Sequence, residues 1–125
     1  MRTVVLDAGA LIALERRDVR MLALAADLVG ARVAAHMPAG VFAQVWRGSP
    51  HQHAVMRLVR TGAVRVESLS EEIAVRIGLL LAASGASDVV DAHVVLLARK
   101  LRATVVTSDP HDLHKLDPAL GLVVV

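Results

Sequence analysis

Asp7, Asp91 and Asp109 are the residues of this chain whose type and position suit them to chemistry. Asp7 closes the run TVVL, Asp109 follows ATVVTS, and Asp91 falls in SDVVDAHVVLLA at the start of an apolar helical pattern. In an open α/β sheet, ligands bind beyond the carboxyl ends of the strands. Carboxylates gathered at that edge repel one another unless a cation lies between them, and oxygen-only donor sets suit Mg2+ or Mn2+. The pattern implies an acidic, metal-binding pocket. Metal-assisted hydrolysis of a phosphodiester is the chemistry expected of it.

Each aspartate also has a purely structural use. Asp7 can cap a helix starting near Ala8 or Ala10, Asp109 before Pro110 has the form of an N-cap followed by a first-turn proline, and Asp88 can cap the helix that holds Asp91. Singly, capping explains them; three such junctions converging on one sheet edge favour a shared pocket. Asp88 and Asp91 stand three apart and share a helix face, so Asp88 is a further candidate ligand. Asp112 reads as a solvated turn residue. Thr107 and Ser108 are candidates to hydrogen-bond a carboxylate or a bound water. Among six histidines there is no HExxH-type spacing. Trp46 beside Arg47 invites stacking on a base and a grip on a phosphate, although helix packing is the ordinary use of a lone Trp.

The elements that must position these residues alternate in type. Short strands are expected over Thr3–Leu6, Arg32–Ala35, Val64–Glu67, Ala103–Val106 and Leu122–Val125, the third as an edge or flanking strand. Helices are expected over Ala10–Arg17, Asp18–Val29, Pro38–Trp46, His51–Arg60, from Ser70 to about Gly85, over Asp88–Leu101, and briefly after Pro110. Ser70 is a fitting N-cap, and Ile73, Ile77, Leu80 and Leu81 supply an apolar stripe behind it. Strands alternating with helices predict a mostly parallel central sheet flanked by helices. No repeat, linker or low-complexity tract divides the chain.

A length of 125 residues fits one domain with one real core. The apolar share of 55% excludes disorder, and with one Trp, one Phe and no Tyr the core must be aliphatic. So apolar a small domain suggests surface hidden in an oligomer or partner interface. The absence of cysteine removes disulfides and thiolate metal sites. No stretch reaches membrane-span length, and the early Asp7, Glu15, Arg16 and Arg17 do not suit a signal peptide, so a cytoplasmic protein away from membranes is expected. Net charge is +2, compatible with nucleic acid without demanding it.

The segments VVLDAGALIAL, MPAGVFAQVWR, DAHVVLLARK and VVTSD, in this order and spread over essentially the whole chain, resemble the PIN domain, and within it the VapC-type toxins of toxin–antitoxin pairs. The resemblance implies one PIN-like α/β domain over residues 1–125. It further implies a Mg2+- or Mn2+-dependent endoribonuclease with Asp7, Asp91 and Asp109 as metal-binding and catalytic residues, an RNA substrate, a small antitoxin partner and a homodimer. Gln44, Thr107 and Ser108 would support the site, and Arg47 is the candidate RNA contact. One departure stands out: Gln44 occupies the helix position where the family usually has a glutamate. A carbonyl brings no charge, so metal affinity should weaken, and a catalytically degenerate RNA-binding or interaction module is the alternative. A receiver-like domain lacks its acidic pair and final lysine here, and Asp7-Ala8-Gly9 does not give the DxD of a haloacid-dehalogenase-type phosphatase.

Overall fold

A computed structural model describes residues 2–125. The strands are β1 (Arg2–Leu6), β2 (Val33–Pro38), β3 (Val64–Glu67), β4 (Thr104–Thr107) and β5 (Leu122–Val124). The helices are α1 (Ala8–Glu15), α2 (Val19–Val29), α3 (Ala39–Val45), α4 (His53–Arg60), α5 (Glu71–Ser84), α6 (Val89–Leu101) and α7 (Pro110–Leu116), with a 3-10 turn at Pro50–Gln52.

All described strand pairs are parallel, in the order β3-β2-β1-β4-β5. Every connection must therefore be a crossover, and right-handed crossovers fix which face each helix covers. The chain steps from β1 to β2 to β3 in one direction, which puts α1 to α4 on one face. It then returns across β1 to β4 and steps outward to β5, which puts α5, α6 and α7 on the other. The packing agrees: α1 touches α2, α3 and α4, whereas α6 touches α5 and α7. Strands covered on both faces need apolar side chains throughout, and Val4, Val5, Leu6, Val105 and Val106 are all buried.

Two features depart from the sequence expectation. Strand β2 runs through Pro38 instead of ending at Ala35, so Pro38 precedes α3 and does not open it. Its buried positions Val33, Ala35 and Met37 alternate correctly, but alanine is a poor strand former, which blurs the pattern in the sequence. Helix α1 begins at Ala8, because the Asp7 side chain caps it directly. On α5, Ile77 is buried and Ile73, Leu80 and Leu81 are half-buried, as the stripe required, yet Val75 and Leu79 on the same helix are 59% and 67% exposed. Among the described residues no single helix is long and apolar enough to cross a membrane.

Candidate functional site

Strands β1 and β4 are parallel neighbours with Leu6 opposite Val106, so their two exits lie side by side. Asp7 is the first residue beyond β1, and its backbone N–H donates to the Val106 carbonyl at 3.2 Å. Its carboxylate accepts from the Ala10 N–H at 3.1 Å, closing the first turn of α1. Burial pushes the Asp7 carboxyl above its ordinary range; the Thr107 hydroxyl and the backbone N–H groups of Ala10 and Gly9 pull it back, and the charge of Asp109 adds to the rise. Thr107 is fully buried and also accepts the Asp109 N–H at 2.9 Å. One hydroxyl therefore links the two strand exits.

The third junction comes from the opposite face. Asp88 caps α6 by accepting the Asp91 N–H at 2.8 Å. Asp91 stands in the first turn, half-buried, with its carboxyl pushed up to about 6. Burial is the main cause, followed by the negative charges of Asp88, Asp112, Asp7 and Asp109. Those four names define an acidic centre drawn from β1, β4, α6 and α7. The structural use of the aspartates then divides cleanly. Asp7 and Asp88 cap their helices, whereas Asp109 sits in the cap position of α7 and its side chain makes no capping hydrogen bond.

Asp112 is a correction to the sequence reading. It does not stand apart as a turn residue; it lies in α7 and, with Asp88, Asp91 and Lys115, lines a cavity of about 430 Å3. Its spacing of three from Asp109 was the available signal. Ser108 is exposed and lies against Gly9: a Cβ on Gly9 would come within 2.8 Å of the Ser108 backbone nitrogen. The α1 start and the β4–α7 turn can thus meet only because residue 9 has no side chain.

Gln44 is exposed on α3, one turn beyond Gly40, whose Cβ would lie 3.0 Å from Val90 Cγ2. This close approach sets α3 beside the start of α6, but the charges acting on Asp91 all come from aspartates. Arg47 is exposed just beyond α3. Its guanidinium donates to the Ala43 and Trp46 carbonyls at 3.0 and 2.6 Å, closing the end of α3, and Trp46 stacks on Phe42 with ring centroids 5.8 Å apart. Among the histidines, His36 pairs with Glu67 at 2.8 Å, and burial lowers the pKa of His93.

The donor chemistry of the acidic centre suits a hard divalent ion, since every donor is oxygen and the carboxylates destabilise one another's charge. The side chains do not stand ready around one: among the described residues, no three His, Cys, Asp or Glu side chains converge as an ion-binding group. The Asp7 cap uses one carboxylate oxygen, Oδ1, and leaves the other available.

An all-parallel five-stranded sheet covered by helices on both faces defines the class as a parallel α/β domain. Residues 4–117 match the PIN domain model, and the chain belongs to the PIN-domain family, whose members are generally nucleases. Two solved structures share the fold. One is VapBC2 from Rickettsia felis, crystallised bound to a DNA fragment from its promoter: TM-score 0.66, 14% identity, 98% of each chain covered. The other is PAE2754 from Pyrobaculum aerophilum: TM-score 0.63, 15% identity, 98% of this chain and 84% of that one covered. No curated protein matches the sequence.

Proposed function

We propose that this chain is a Mg2+- or Mn2+-dependent endoribonuclease of VapC type, the toxin of a toxin–antitoxin pair. The observation that carries the proposal is the surplus of carboxylate at one sheet edge: Asp91 and Asp109 serve no cap, yet they face Asp7, Asp88 and Asp112 closely enough to perturb Asp91. Uncompensated like charges cost stability, and a fold keeps them where a cation or a reaction uses them.

Asp7, Asp91 and Asp109 would hold the ion, with Asp88 beside them. When bound, such an ion supplies Lewis acidity and lowers the pKa of a coordinated water. The protein's own contribution is positional. Thr107 restrains the Asp7 carboxylate and anchors the turn that presents Asp109, while the Asp88 cap fixes the first turn of α6 and with it Asp91.

The fold shared with VapBC2, crystallised on a fragment of its promoter, supports a small antitoxin partner here. Exposed apolar residues on α2 (Val19 and Val29) and on α5 (Val75 and Leu79) give an antitoxin and a second copy surface to cover. A second reading, a PIN domain that binds RNA without cutting it, is favoured by one observation: Gln44 adds no charge to the acidic centre. The discriminating experiment incubates the chain with a mixed RNA panel in Mg2+ and in Mn2+, with EDTA and Asp91→Asn as controls. Cutting that requires both metal and Asp91 is expected. Binding without cutting by folded, metal-loaded protein would sink the nuclease in favour of the binding module.

A further inference from the structure

Two cavities flank the acidic centre on opposite faces of the sheet. On the α1 face, a groove of about 280 Å3 starts at Gly9 and Ser108 and follows Ile12, Ala13 and Arg16. On the α7 face, the cavity of about 430 Å3 starts at Asp88 and Asp91 and passes Asp112 to Lys115. Along α1, positions 9, 12, 13 and 16 form one helix face, so Arg16 stands about 10 Å beyond Gly9. Along α7, Asp112 and Lys115 are likewise three apart and share a face.

The α7-side cavity thus runs from the carboxylates to a cation, and the α1-side groove runs to a cation from Gly9 and Ser108, the chain neighbours of the acidic centre. Both cations are exposed, and neither takes part in an ion pair among the described residues, where Arg20, Arg32, His36, Arg76 and Arg99 supply the basic partners. Asp18, the acidic side chain beside Arg16 in its groove, accepts the Arg20 and Met21 N–H groups as the cap of α2, and Val125 also lines the groove. A bound ion would neutralise the scissile phosphate, but the phosphates on either side of it would still meet the repulsion of five aspartates. Those flanking phosphates need cations outside the acidic centre.

Resting on the endoribonuclease reading, we propose that single-stranded RNA crosses the strand ends from one face of the sheet to the other. Arg16 grips the backbone on the α1 side of the cut, and Lys115 grips it on the α7 side. The shallow floor at Gly9 and Ala13 passes the chain, and the Ser108 hydroxyl lies where the groove meets the acidic centre.

The test measures KM and kcat for cleavage. In parallel it measures the affinity of Asp91→Asn protein for fluorescein-labelled oligouridylate and a mixed-sequence single-stranded RNA across a salt series. Arg16→Ala and Lys115→Ala should each raise KM and Kd about 3- to 10-fold with kcat nearly unchanged, and lower the salt slope by about 0.7. Arg16→Lys and Lys115→Arg should retain most of the affinity. An RNA with methylphosphonate linkages beside the cut should erase the difference between variant and parent. Arg60→Ala, an exposed cation at the end of α4, sets the baseline for any lost charge. If the unmodified chain cuts RNA and both alanine variants follow Arg60→Ala in KM, Kd and slope, the path is wrong and the nuclease stands. If the unmodified chain neither cuts nor binds RNA, both readings fall together.

Discussion

The two strand exits at the centre of the sheet are built alike and used differently. After β1, Asp7 is half-buried, caps α1 and is held by Thr107; after β4, Asp109 is exposed and leaves α7 uncapped by its side chain. A proline in the first turn relieves α7 of one orphan donor, which lowers the demand for a cap there. Two aspartates in equivalent strand-end positions can thus differ in use: Asp7 is committed to a helix cap, whereas the Asp109 carboxylate has no capping hydrogen bond.

Joining the two exits rigidly is the arrangement whose disruption should matter most. Gly9→Ala would thrust a methyl group into Ser108, including its backbone nitrogen, and the turn would have to move. A loss of about 2 kcal/mol in stability is expected, with RNA cleavage falling at least about 100-fold. Thermal unfolding and single-turnover cleavage measured together check this; an unchanged Tm would show that the exits are not coupled.

Asparagine caps helices as well as aspartate does, so Asp7→Asn should leave Tm within about 2 °C while abolishing cleavage, whereas Asp7→Ala should also cost about 1 kcal/mol. Equal destabilisation by both variants would reduce Asp7 to a charge-dependent structural group. At Asp91 the sign is reversed. Its folded pKa, about 6, lies above the ordinary value, so the protonated carboxyl favours the native state fully at acid pH and that contribution is lost as pH rises through about 6. Asp91→Asn should therefore raise Tm by about 3 °C at pH 7.5 and by almost nothing at pH 4, a difference calorimetry without metal can read. The smallest effect belongs to Gln44→Glu, which should tighten Mn2+ binding a few-fold; an unchanged isotherm would take α3 out of the metal's reach.

The sequence made the outline of the fold legible because its aliphatic runs and its N-caps at Asp7, Ser70 and Asp88 are strong local signals. Strand β2 was misjudged at its end because alanines carry little strand preference and Pro38 usually marks a helix start. The three principal aspartates were also visible. The place of Asp112 was less so: its spacing from Asp109 hinted at a shared face, but its position beside Asp88 and Asp91 depends on how α7 lies against α6, a tertiary fact. The bonds of Arg47 to the carbonyls at the end of α3 were likewise invisible, since only the folded helix end presents those acceptors.

The position of β1 in the middle of the sheet also sets a timetable. Its partner on one side, β2, follows within about thirty residues, but Val4 must wait for Thr104 to find its partner on the other side. Contacts so distant along a chain form late. As the polypeptide leaves the ribosome, Asp7 emerges well before Asp91 and Asp109 and remains solitary until α6 and β4 have been made. The nascent protein therefore carries no assembled acidic centre. Its carboxylates come together only once β4 and α7 have followed α6 out.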